Sequence, residues 1–170
     1  YTYVGSKSGI RGEIDNEKDA GGYELYPEEM RPADFDTDLD GLPDWWEEIN
    51  GSNVNSAAGD YSDSHADNNN DGFSALEDYL AFMASPNKIL KPGEVTDIDL
   101  KAMFAGYTQP PMYTVDDPQS ISHISGSKLT IAAPSQIGIY PITLTVTDGD
   151  GASYTRLLNI AVTQKEILNI

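Results

Sequence analysis

The sequence predicts a mainly β protein with a small α part: a two-loop calcium module followed by a β-sandwich. Three observations carry this. Two twelve-residue stretches, 36–47 and 67–78, place oxygen-bearing side chains at alternate positions ahead of a glycine. Acid is spread unevenly: residues 1–91 carry a net −14 and residues 92–170 a net −4, out of a total of −18. Short runs of Thr, Ile, Val and Leu, broken by Gly, Pro, Ser and Asp, appear only after Glu94.

Residues 1–33 are Gly-rich and acidic, too poor in apolar side chains to make a core, and are expected as an extended strap. The calcium module is expected over 34–91. Asp36, Asp38 and Asp40 occupy loop positions one, three and five, with Gly41 at six for the sharp turn. The Leu42 carbonyl follows at seven, Asp44 at nine, bound directly or through water, and Glu47 at twelve, where both oxygens can close the sphere. Five carboxylates within twelve residues repel one another unless a cation gathers them, and an all-oxygen donor set suits calcium better than zinc, which favours His or Cys. Magnesium prefers a rigid octahedron with retained waters.

The second loop, Asp67, Asn69, Asp71, the Phe73 carbonyl and Asp78 around Gly72, repeats the pattern with fewer charges. Ala75 offers nothing at position nine and Asp78 is shorter than Glu, so weaker binding is expected there; two calcium ions are expected in all. A helix follows, with Ser74 and Glu77 forming a capping box and Leu76, Tyr79, Leu80 and Met83 at helical spacing. Trp45, Trp46 and Ile49 are expected to pack on that stripe. An exposed Trp pair would instead stack on a sugar ring.

Ser85 to Pro92 reads as a linker, because Lys91-Pro92-Gly93 cannot continue a helix. Over 92–170 the sequence predicts strands at Val95–Phe104, Met112–Val115, Lys128–Ala132, Ile139–Thr147 and Ser153–Val162. Tyr140, Ile142, Leu144 and Val146 share one face, and Thr143, Thr145 and Thr147 the other. Such a series without a helical period is that of an immunoglobulin-like or cadherin-like sandwich. Asp148-Gly149-Asp150-Gly151 reads as a hairpin turn rather than as a third ion site with Asp116 or Asp117.

Acidity of this degree repels nucleic acid and anionic lipid heads, and no apolar run of about 18 residues spans a membrane. With no cysteine, two histidines, His65 and His123, and no nucleophile elbow, the parts for nucleophilic or phosphoryl-transfer catalysis are missing. Arg11, Lys18 and Arg31 lie in no visible pocket pattern; no catalytic residue is expected. The chain begins at Tyr1 and reads as a mature or excised piece.

The string Asp36-Thr37-Asp38-Leu39-Asp40-Gly41-Leu42-Pro43-Asp44-Trp45-Trp46-Glu47-Glu48, followed by Asp71-Gly72-Phe73-Ser74-Ala75-Leu76-Glu77-Asp78-Tyr79-Leu80, resembles the dockerin-like or thrombospondin type-3-like calcium tail of secreted bacterial polysaccharide lyases. Ala75 and Asp78 depart from that pattern, which has Asn and Glu there. Gly9 to Tyr23 is similar to the segment by which pectate-lyase-like β-helix enzymes leave their catalytic domain, and Lys128–Ala132 with Gly138–Asp148 resembles bacterial immunoglobulin-like and cadherin-like repeats. The resemblance implies an EF-hand-like module and a non-catalytic, calcium-stabilised accessory region of a secreted bacterial polysaccharide-degrading enzyme, monomeric, at the cell exterior or in the periplasm. Polysaccharide would be met through the parent enzyme. It also leaves two other readings: a dockerin docking on a cohesin-like protein, though the near-duplication of positions ten and eleven is missing, and a carbohydrate-binding or adhesion module.

Overall fold

In the computed structural model the described residues are 31–107 and 110–167; the strap expected over 1–33 lies almost wholly outside them. Residues 31–167 form one compact unit. It is mainly β, with seven strands in two sheets and three short helices.

Helix α1 spans Asp44–Asn50 and α2 Ala75–Ala84. The Ser74 hydroxyl accepts from Glu77 N, and the Glu77 carboxylate accepts from Ser74 N at 2.8 Å, so α2 begins on the expected capping box. Helix α1 ends at Gly51, φ 79°, whose N–H donates to the Glu47 carbonyl at 2.7 Å.

The strands are β1 (Asn87–Leu90), β2 (Val95–Asp99), β3 (Met112–Asp116), β4 (Ser122–Ser125), β5 (Lys128–Ala132), β6 (Gly138–Thr147) and β7 (Ser153–Val162); the one-turn helix α3 is Leu100–Met103. One sheet runs β1-β7-β6-β3, the other β2-β5-β4. Two expectations are corrected. The stretch read as a linker contains β1, which pairs parallel with β7 from Asn87↔Asn159 to Leu90↔Val162. The strand expected over Val95–Phe104 stops at Asp99, whose carboxylate accepts from Lys101 N and caps α3.

Ile142, Leu144 and Val146 on β6 and Leu158, Ile160 and Val162 on β7 point between the sheets, against Leu129 and Ile131 of β5. Thr143, Thr145 and Thr147 face the other way and are half-buried. The alternation fails at the end of β7, where Ile160, Ala161 and Val162 are all buried. The cause is a second layer. Ile89, Ala161 and Ile139 stand opposite one another across β1, β7 and β6, forming a cross-strand row on the sheet's outer face. Phe35, Leu42, Trp45, Trp46 and Phe82 of the loop-and-helix segment cover that row. Ala161 is small, and both indoles are buried in the cluster it joins.

The two indoles meet edge-on, with centroids 5.7 Å apart, and each also contacts Tyr79 and Phe82. The face of α2 turned to the core therefore differs from the stripe expected from spacing: Phe82 is buried, whereas Leu80 and Met83 are exposed. With Trp45 and Trp46 only 1% and 5% exposed, the pair presents no platform for a sugar ring.

Candidate metal centre

The first loop is built by its backbone. Asp44 N donates to the Phe35 carbonyl at 2.8 Å, closing the loop across its base. Leu39 and Gly41 have φ 60° and 97°, which turns the chain sharply enough for three alternating Asp side chains to converge. Oxygens of Asp36, Asp38 and Asp40 lie within 4.8 Å of one another.

Each of the three carboxylates divides its work. One oxygen takes protein donors: Asp36 Oδ2 from Gly41 N, Asp40 Oδ1 from Leu42 N, and Asp38 Oδ2 from both Ser56 N and Ser56 Oγ. The other is buried and has no partner: Asp36 Oδ1, Asp38 Oδ1 and Asp40 Oδ2. Glu47, at position twelve on α1, is 0% exposed, and neither of its oxygens has a partner. Five carboxylate oxygens are thus buried without a donor. Uncompensated buried charge costs several kcal/mol per group, and a bound cation cancels it.

Burial, then the charges of Asp38, Asp40, Asp44 and Asp63, push Glu47 up to about 8. Burial also raises Asp40; its bond from Leu42 N opposes this, and the charges of Asp38 and Asp36 add to it. The five unpartnered atoms of these four side chains are all carboxylate oxygens, so the donor set fits a hard divalent cation of the calcium or magnesium type.

Asp44 is not part of this cluster. Its Oδ1 accepts from Thr37 N and its Oδ2 from Thr37 Oγ1, each at 2.8 Å, and Lys165 Nζ donates to Oδ2 at 3.0 Å. Burial works to raise Asp44, but the Thr37 and Lys165 hydrogen bonds outweigh it and hold the carboxyl below its ordinary range. The carboxylate expected at position nine, directly or through water, joins loop to sheet, since Lys165 follows β7 and also lies 3.7 Å from Asp34 and Glu48. Asp44 is nearly fully buried, so Lys165→Met strands it without its cation; unfolding in urea should show a loss of about 2 kcal/mol.

The second loop repeats the first loop's backbone. Asn70 and Gly72 have φ 57° and 96°, and Ala75 N donates to the Ala66 carbonyl at 2.8 Å, at the same loop positions as Leu39, Gly41, Asp44 and Phe35. Its side chains are spent differently. Asp67 accepts from Asp71 N and Gly72 N, and Asp71 Oδ1 from Phe73 N. The Asn69 amide donates to Asp71 Oδ2 at 3.0 Å and to Asp78 Oδ2 at 3.2 Å, holding together the two carboxylates that a cation would gather. Burial, then the charges of Asp71 and Asp67, raise Asp78. Among the described residues, Asp36, Asp38 and Asp40 form the one acidic group close enough to share an ion. Asp148 and Asp150 accept from Gly149 N and Ala152 N within their hairpin.

Several supporting residues carry no local signal in the sequence. Ser56 stands 18 residues from Asp38, and Lys165 stands 121 residues from Asp44.

No family model matches the chain, and no curated protein matches it. Solved structures do. Among them are a nucleoside hydrolase-related protein from Saccharophagus degradans described as associated with carbohydrate metabolism (17% identity, 46% of this chain and 22% of that chain, TM-score 0.35), the PKD domain from KIAA 1837 protein (24%, 47% and 82%, 0.36) and Drosophila N-cadherin EC1-4 (19%, 46% and 23%, 0.37). The chain spans less than a quarter of the first and third of these. Among the described residues, no helix is long and apolar enough to cross a membrane.

Proposed function

We propose that this chain is a calcium-stabilised, non-catalytic accessory region of a secreted bacterial polysaccharide-degrading enzyme of the pectate-lyase-like kind, with calcium in a structural role. The observation that carries the calcium part is the set of five buried, unpartnered oxygens on Asp36, Asp38, Asp40 and Glu47. With the Leu42 carbonyl at position seven they make six oxygen donors, the lower bound of a calcium sphere. The second loop takes a weaker ion once the Asn69 amide swings off Asp71 and Asp78. The parent-enzyme part rests on the sequence resemblance of both loops to lyase tails.

Calorimetric titration of calcium into chelator-stripped protein tests this. Two events are expected: a tight one, abolished in Asp40→Ala, and a weaker one retained in that variant. Absence of binding heat, with a melt unchanged by chelator, would overturn the reading.

A further inference from the structure

Asp38, at position three of the first loop, is 3% exposed, and its two oxygens have separate fates. Oδ1 is buried without a partner. Oδ2 is taken by a residue from outside the loop: Ser56 donates its hydroxyl at 2.8 Å and its N–H at 3.1 Å. That N–H also meets the Asn53 carbonyl at 3.2 Å, whereas the hydroxyl's other acceptor, the Asp60 carbonyl, stands off at 3.4 Å, so the hydroxyl is the stronger tie to Asp38. The segment that carries Ser56 is itself held. Asn53 N donates to Asp63 Oδ2 at 2.8 Å, and the carbonyl of Ser64, a fully buried residue, accepts from Leu76 N at 3.0 Å, which fastens the segment's far end to α2. The second loop is arranged otherwise. At its position three, Asn69 is exposed, and among the described residues its side chain bonds only to Asp71 and Asp78 of the same loop.

Acidic side chains gather on many surfaces without an ion. Here Glu47 is fully buried with neither oxygen partnered, and Asp38 and Asp40, almost as buried, each keep one oxygen unpartnered. A carboxylate that offers one oxygen to an ion turns about its Cβ–Cγ bond unless the other oxygen is held, so a donor to the far oxygen sets the aim of the near one. Without the Ser56 hydroxyl, Asp38 Oδ2 would keep only an N–H that it shares with Asn53. We propose that Ser56 is a positioning residue of the cation site: its hydroxyl holds Asp38 so that Oδ1 stays available beside Asp36, Asp40 and Glu47, and thereby sets the affinity of the first loop for its ion. The proposal rests on the calcium reading above and deepens it. The strength of a twelve-residue loop then depends on a donor 18 positions from the ligand that it aims.

Terbium provides the test, since Trp45 and Trp46 adjoin Glu47 in the chain and sensitise its emission. Ser56→Ala in the full chain should raise the terbium Kd about tenfold or more, and Ser56→Thr, which keeps the hydroxyl, should bring it back to within about threefold of the wild type. Ser56→Cys, close to serine in shape but a weak donor, should weaken binding in the same direction as alanine, so the result does not hang on the folding of one variant. Ser62→Ala, which removes an exposed hydroxyl from the same segment, should leave the Kd unchanged. An unchanged Kd in Ser56→Ala and Ser56→Cys would overturn the proposal. So would a weakening that threonine does not rescue or that Ser62→Ala shares, since either would trace the effect to the segment's packing instead of the hydroxyl. A wild-type chain that binds neither terbium nor calcium overturns the calcium reading itself, and the role of Ser56 falls with it.

Discussion

Calcium added to chelator-stripped protein raises the melting temperature by about 8–16 °C. The figure follows from mass action: an ion at a thousandfold excess over its Kd stabilises the state that binds it by about 4 kcal/mol, and a chain of this size gains about 2–4 °C per kcal/mol. The rise should appear in a single transition shared by loops and sandwich, because Phe35, Leu42, Trp45, Trp46 and Phe82 lie on the same outer row of sheet as Ala161. Asp40→Ala removes one of the converging carboxylates and with it most of the increment. Differential scanning calorimetry with and without chelator checks both. A sandwich that melts at the same temperature in either condition would mean that the ion and the sheet are energetically separate.

In the absence of cation the protein loses stability as pH rises from about 4.5 to about 8, the opposite of the usual carboxylate behaviour. Glu47 sits in the fold with its pKa pushed up to about 8, against 4.5 for a free glutamate. Between those values the folded state binds the extra proton, so the slope of unfolding free energy with pH is negative. The stabilisation is complete below pH 4.5 and gone above pH 8, and its size is on the order of 5 kcal/mol. Calcium reverses the preference by favouring the ionised carboxylate, so the slope should flatten when the ion is present. Glu47→Gln separates the two effects. It should be more stable than the wild type in chelator at pH 8, and it should gain far less from calcium. Urea unfolding at pH 5, 6.5 and 8, in chelator and in calcium, reads all of these, and a wild-type slope that rises with pH in chelator would contradict the account.

Much of this was legible because the determinants are local. The first loop's turn is specified within twelve residues, so the convergence of Asp36, Asp38 and Asp40 around Gly41 could be read directly, and the strands β5, β6 and β7 declared themselves by alternation and by Gly- and Asp-rich turns. What escaped depends on distant partners. Asp44 fits position nine by spacing, but its neighbour in space is Lys165, from the far end of the chain. Asn87–Leu90 follows Pro86 and has only four residues, too few to show a period; it is a strand because β7 offers it an edge. Ser122–Ser125 is likewise made a strand by its pairing with β5. Leu80 and Met83 fitted the helical stripe, yet the sheet's outer row lies under Phe82.

The parallel pairing of β1 with β7 bears on how the unit carries load. Tension applied between Arg31 and Ile167 pulls β1 from its leading end and β7 from its trailing end. Strands that run the same way then slide along each other, and the hydrogen bonds from Asn87↔Asn159 to Leu90↔Val162 are strained together instead of opening one at a time. The Asp44 to Lys165 contact bridges the same two ends of the path and must part before the strands can move. A sheet joined in this way to the loop segment that precedes it resists extension in shear.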